Sequence, residues 1–101
     1  MALTKIQLSE LLQVYADMLT EKQREALSMY CDCDCSLSEI GSELGISRQG
    51  VRDAIVKGEA SLVKFEETLH IAQLKRQLSV AVEREDLDCV FQVAKSFVTK
   101  E

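Results

Sequence analysis

The sequence contains no proline, no tryptophan and only four glycines among its 101 residues. Because proline and glycine are the residues that most often interrupt a helix, their scarcity favours helical structure. No stretch approaches the roughly 18 consecutive apolar residues of a membrane-spanning helix. The first residues also lack the basic and apolar regions of a signal peptide. We therefore expect a cytoplasmic protein without a membrane partner, in which the cysteines stay reduced.

Positive charge is scarce as well. The formal net charge is −5, which is unfavourable for a nucleic-acid-binding protein because such proteins attract phosphates with a positive field. Residues 36–58, in contrast, carry equal numbers of acidic and basic side chains. These are Glu39, Glu43, Asp53, Arg48, Arg52 and Lys57. A nucleic-acid contact is thus most favourable in this segment, and we expect it to be weak and salt-sensitive.

Capping residues and apolar spacing predict six helices. The capping residues are Thr4, Thr20, Ser36, Ser47 and Asp86, and the fifth helix is indicated by apolar residues from Ile71 to Val82. No strand-like alternation appears. The predicted fold class is therefore all-α, with one domain over residues 1–101. It comprises a helix-turn-helix core over residues 20–69 and C-terminal helices over residues 70–101.

Between Leu37 and Val56, two helical patterns flank a single glycine turn. Gly41 supplies the small residue needed where two helices cross, and Gly45 can adopt the left-handed conformation that ends a helix. Ile46 follows directly and can hold the turn against the core. The expected inner-face anchors are Ile40, Leu44, Val51 and Ile55. This pattern predicts a helix-turn-helix motif with a long recognition helix.

The outer face of the second motif helix carries polar side chains, which in this motif enter the major groove. Arg48 and Arg52 can reach guanine edges or phosphates, and Gln49 can pair with adenine. Ser47 and the helix N-terminus offer N–H groups to a phosphate. Lys57 is a further candidate for a phosphate contact. The predicted nucleic-acid-binding residues are Ser47, Arg48, Gln49, Arg52 and Lys57. The alternative is a helical hairpin that contacts no nucleic acid and whose charged side chains are solvated.

Three cysteines alternate with two aspartates in the segment Cys31–Cys35, between the second and third helices. Zinc sites normally use thiols two to four residues apart and a second ligand pair. Here the spacing is tighter, and the remaining candidates, His70 and Cys89, are remote. We interpret Cys31 and Cys35 as small apolar packing residues near a helix end and expect no metal or cofactor. The sequence contains no glycine-rich phosphate-binding loop and no nucleophile motif, so nothing in it indicates an enzyme.

The long fourth helix carries an apolar seam that extends from Val51 to Leu69 and includes Gly58, which allows another backbone to approach. Together with the apolar C-terminal helices, this seam exceeds what one short chain is expected to cover. The sequence therefore predicts a homodimer that involves the last two helices.

Three segments carry a resemblance to a known family: "LTEKQREALSMY", "SLSEIGSELGISRQGVRDAI" and "KFEETL". From about Leu11 to Leu69 the chain resembles the YlxM proteins, small bacterial proteins related to sigma-factor region 4 helix-turn-helix domains. Ser47, Arg48 and Gln49 match the family's turn entry, and Lys57 falls in its basic stretch. The sequence departs from the family pattern at Gly50, Arg52 and Gly58. The resemblance implies a nucleic-acid-binding regulator linked to the signal recognition particle; the alternative is an adaptor that binds particle components without DNA.

Overall fold

The computed structural model describes residues 3–99, and within that range every regular element is helical. The elements are α1 (Lys5–Tyr15), a 3₁₀ turn (Ala16–Met18), α2 (Glu21–Cys31), α3 (Leu37–Leu44), α4 (Arg48–Leu69), α5 (Ile71–Glu83) and α6 (Leu87–Thr99). The all-α fold class is confirmed. Apolar residues continue at helical spacing to Leu19, but α1 ends at Tyr15 because the chain tightens into the 3₁₀ turn. Among residues 3–99, no helix is both long and apolar enough to cross a membrane.

The predicted caps are confirmed by their hydrogen bonds. The hydroxyl groups of Thr4, Thr20 and Ser36 each accept a bond from the backbone N–H three residues later, and all three form complete capping boxes. Asp86 caps α6 by accepting a bond of 2.9 Å from the N–H of Cys89. These bonds satisfy donors that a helix leaves unpaired at its start, so the helix boundaries are set locally by the sequence.

Among the described residues, those up to Leu69 form one compact unit, and those from His70 onward form a second. In the first unit α4 packs against α1, α2 and α3. The core of this unit is aliphatic with one tyrosine: Leu8, Leu12, Tyr15, Leu19, Ala26, Leu27, Ile40, Val51, Ala54, Ile55 and Leu62. The organisation of residues 1–101 as one domain stays a prediction, since two compact units can still fold together.

The apolar seam of α4 is covered by helices of its own unit through Leu62, which is fully buried. The sequence predicted that another backbone approaches Gly58. The close contact there is instead with a side chain. A Cβ at Gly58 would lie 2.6 Å from Cδ1 of Leu27 on α2. Phe65 is half-buried and Leu69 is exposed, so only the end of the seam lies open.

The second unit is a hairpin in which α5 packs against α6. Its loop is closed by backbone bonds, including one of 3.0 Å from the N–H of Asp86 to the carbonyl of Ala81, with Glu85 in a left-handed conformation. Among the described residues of this unit, only Ala72 and Ala81 are buried.

Candidate nucleic-acid interface

The turn between α3 and α4 has the geometry that its glycine predicts. Gly45 is left-handed, with φ 70° and ψ 31°, and its N–H donates to the carbonyl of Gly41. The N–H of Ile46 also donates to that carbonyl, at 3.0 Å. This pair of bonds ends α3 sharply, so α4 starts in a new direction after only three residues.

The crossing of α3 and α4 depends on the absence of a side chain at Gly41. A Cβ there would lie 2.7 Å from the carbonyl oxygen of Ile46 and 3.6 Å from Cγ2 of Val51. Of the expected anchors, Ile40, Val51 and Ile55 are fully buried. Leu44 is only half-buried, because it lies in the last turn of α3, beside the bend.

All five predicted contact residues are exposed on α4 or at its N-cap. We call them the recognition face: Ser47, Arg48, Gln49, Arg52 and Lys57. Within the described chain, Arg48, Arg52 and Lys57 form no salt bridge with a carboxylate. Their positive charges are therefore available to an external anion.

The recognition face has two flanks. Arg48 and Arg52 lie about 40° apart around the helix axis, and with Gln49 and Leu37 they line a shallow depression beside α3. Lys57 lies about 180° around the axis from Arg48 and roughly 13 Å further along it. The arginines and the lysine can therefore reach opposite walls of a groove occupied by α4.

Two polar groups of the recognition face are already held within the chain. The hydroxyl of Ser47 accepts a bond of 3.0 Å from the N–H of Gly50, which confirms the predicted N-cap. The side-chain amide of Gln49 donates to Oδ1 of Asp53 at 3.0 Å. One N–H and the carbonyl oxygen of that amide remain for another partner, and a bidentate contact with adenine uses one donor and one acceptor.

Val56 also lies on the outer surface of α4 and was missing from the predicted contacts. It lies one turn beyond Arg52, and 42% of its surface is exposed. An apolar side chain at such a position can contact a thymine methyl group. Its four-residue spacing from Arg52 was the available signal, but valine in a helical pattern is more often a core residue.

The acidic side chains of α3 limit the positive field near this face. Hydrogen bonds from the backbone N–H and hydroxyl of Ser36 lower the pKa of Glu39, whose carboxylate is part of the capping box. Glu43 lines a groove together with Arg24 and Glu25. Since Glu39 stays ionised in its cap, its negative charge persists and offsets part of the positive charge of residues 36–58.

The cysteine-rich loop is fastened to α1. Lys5 forms an ion pair with Asp34, and its ammonium lies 4.7 Å from the ring centroid of Tyr30. The hydroxyl of Ser9 donates to Asp32 at 2.7 Å. Among residues 3–99, no group of three or more histidine, cysteine, aspartate or glutamate residues is placed to hold a metal ion.

Two polar contacts further along α4 connect distant segments and were not predicted. Glu59 is buried in α4 and accepts a bond of 2.7 Å from the N–H of Leu3. The hydroxyl of Tyr15 donates to Glu66 at 2.5 Å, and the ring of Tyr15 lies 5.9 Å from that of Phe65. These contacts fix α4 against the N-terminal segment and α1, so the recognition face is presented by a well-supported helix.

Comparisons with known proteins agree with this geometry. The model of the UPF0122 family, described as "Putative helix-turn-helix protein, YlxM / p13 like", matches residues 3–97. The UPF0122 protein of Mycoplasma capricolum is 40% identical over 77 residues, 76% of this chain and 67% of the relative. That of Clostridium kluyveri is 40% identical over 74 residues, 73% of this chain and 67% of the relative. That of Halalkalibacterium halodurans is 37% identical over 87 residues, 79% of this chain and 80% of the relative. No solved structure matches the chain.

Proposed function

The chain belongs to the UPF0122 family of helix-turn-helix proteins, and from that membership we propose that it is a regulator that binds duplex DNA through its recognition face. The observation that carries the proposal is the solvent exposure of all five face residues at the start of α4. In helix-turn-helix proteins this part of the second helix enters the major groove. The left-handed bend at Gly45, which ends α3 before α4 begins, supports this arrangement.

The residues of the face have distinct roles in this proposal. Arg52 and Gln49 read base edges, since a guanidinium fits guanine and an amide fits adenine. Arg48, at the first helical position, and Lys57, on the opposite flank, contact phosphates. The free N–H groups at the start of α4 add a phosphate contact. Ser47 acts through its cap, which fixes the position of those N–H groups.

Salt dependence follows from the number of cations. Three cationic side chains on the face release up to three counterions, which gives a log–log slope of affinity against salt of about −2 to −3. The net charge of −5 adds no long-range attraction. Binding is therefore modest at low salt and falls steeply as salt rises.

Fluorescence anisotropy with labelled duplexes tests the proposal. Arg48→Ala should weaken binding to all duplexes, whereas Gln49→Ala should mainly reduce discrimination between sequences. Lys64→Ala is the control, because Lys64 is an exposed cation of the same helix beyond the face. If Lys64→Ala weakens binding as much as Arg48→Ala, the face is wrongly assigned.

The charge balance favours a second candidate function. Three carboxylates match the three cations in residues 36–58, so the same surface suits a polypeptide with mixed charges. We propose as the alternative an adaptor that binds components of the signal recognition particle. Capture of the particle's GTPase that survives nuclease treatment supports the adaptor, and loss of capture after nuclease contradicts it.

A further inference from the structure

The hairpin of α5 and α6 leaves much of its apolar surface in solvent. On α6 the exposed fractions are 80% for Leu87, 63% for Phe91 and 78% for Val98. No residue of α6 is buried within its described range. Burying such side chains is favourable by roughly 25 cal/mol per Å². Association of this surface with another apolar surface is therefore favourable.

These side chains belong to regular stripes. On α6 the stripe is Leu87, Phe91, Ala94 and Val98, with the 4-3-4 spacing of an interhelical seam. On α5 it is Ile71, Leu74, Leu78 and Val82, which with two polar neighbours line an apolar groove. Each helix therefore presents one continuous apolar strip of about three turns.

Helix geometry places the two stripes on the same side of the hairpin. On α6, half-buried Val90 and Val93 mark the side toward α5, and the exposed stripe is rotated from it by roughly 90°. On α5, Gln77 lines a cavity together with Val93 of α6 and so marks the side toward α6, and the stripe is rotated from it by roughly 100° in the same sense. Because the helices are antiparallel, equal rotations bring both stripes to one surface, which we call the hairpin face.

Charge is distributed unevenly along the hairpin. The loop end carries Glu83, Glu85, Asp86 and Asp88 against the single cation Arg84. The described part of the other end carries Lys75, Arg76 and Lys95. The hairpin is thus acidic at its loop and basic at its open end.

The geometry points to a second copy of this chain as the occupant, packed on the hairpin face with its loop at the opposite end. In that arrangement α6 lies antiparallel to α6 of the second copy. Asp88 and Lys95 lie two turns apart on the same flank of α6, so each approaches the opposite charge of the other copy. A parallel arrangement would bring the two acidic loops together, which is unfavourable.

This inference rests on the hairpin and does not depend on the proposed DNA contact. Sedimentation equilibrium of the full chain over a range of protein concentrations should show a monomer–dimer equilibrium. Phe91→Asp should yield a monomer with unchanged helical content by circular dichroism. Val80→Asp is the matched control, since Val80 is an exposed valine on the opposite side of α5, and it should leave the dimer intact.

Charge exchange tests the orientation. Asp88→Lys should weaken the dimer at low salt, and Asp88→Lys with Lys95→Glu in the same chain should restore it. If Asp88→Lys acted only by destabilising α6, the double variant should form an even weaker dimer, because it places an unfavourable charge at each end of the helix dipole. A wild-type monomer at all concentrations, or a dimer that survives Phe91→Asp, overturns the inference; a single exchange without effect overturns the antiparallel arrangement.

Discussion

Gly41 and Ile46 are in contact across the turn of the helix-turn-helix motif, where a Cβ on Gly41 would lie 2.7 Å from the carbonyl oxygen of Ile46. A backbone oxygen in a turn closed by two hydrogen bonds cannot move without disturbing both bonds. This contact therefore fixes the distance between α3 and α4, and with it the direction in which the recognition face points.

Gly41→Ala should lower the free energy of unfolding by about 1–3 kcal/mol, as overpacking in a tight site does. Gly58→Ala is the control, because its added Cβ meets the end of the Leu27 side chain. That methyl group ends a flexible side chain and can shift, whereas the oxygen that Gly41 meets belongs to the backbone. Both substitutions gain about 1 kcal/mol of helix propensity, so the difference between them reports the contact. Urea denaturation of both variants measures the difference. Equal decreases in the free energy of unfolding would show that the Gly41–Ile46 contact does not constrain the turn more than the Gly58–Leu27 contact constrains α4.

Asp53 should act as a positioning residue for Gln49, whose amide it holds at 3.0 Å. Asp53→Ala and Asp53→Asn both remove a negative charge, and both should strengthen non-specific binding. Only Asp53→Ala removes the acceptor, so only it should lose discrimination at an A·T pair, up to the roughly 1–3 kcal/mol of a bidentate contact. Competition between duplexes that differ at that pair measures this, and identical selectivity of the two variants would contradict the role.

Tyr15→Phe should destabilise the first unit by about 1–2 kcal/mol, because it removes a partly buried hydrogen bond to Glu66. Tyr30→Phe is the control: Tyr30 is half-buried, and phenylalanine keeps the ring that faces Lys5. Its effect should stay within about 0.5 kcal/mol. Thermal unfolding of both variants distinguishes them, and an equal shift would count against the Tyr15–Glu66 bond.

The Cys31 thiol should stay protonated in the folded chain well into the alkaline range. Burial, with the charge of Asp32 as a second cause, raises its pKa from 9.0 to about 11. In the unfolded chain the thiol ionises near pH 9, so above that pH the unfolded state binds fewer protons and stability falls up to about pH 11. Cys31→Ala should show a smaller loss of stability between pH 8 and pH 10 in urea titrations, and a loss equal to that of the wild type would contradict this.

Exposed Cys33 should react with iodoacetamide before Cys31 does.

Much of the fold could be predicted from the sequence because the decisive interactions are local. Caps such as Thr4 and Ser36 bond to residues three positions away, and Gly45 determines its own turn. Contacts between distant segments have no comparable local pattern in the sequence. The bond between Tyr15 and Glu66 and the burial of Glu59 depend on how helices pack, which the spacing of apolar residues does not specify.

The candidate site shows the same division. The exposure of Arg48 and Arg52 follows from the inner-face positions of Val51 and Ile55, since the periodicity of α4 fixes both sets. The bond from Gln49 to Asp53 has the helical four-residue spacing that could have predicted it. The nature of the bound partner depends on shape and field over a whole surface, so it stays a proposal.

Amide chemical-shift mapping with an unlabelled DNA duplex tests the central claim most directly. Spectra of the ¹⁵N-labelled chain at low salt should show the largest shifts in residues 47–57 and at the start of α3, and these shifts should disappear as salt is raised. Shifts concentrated in α5 and α6, or none at any DNA concentration, would contradict the assignment of the recognition face.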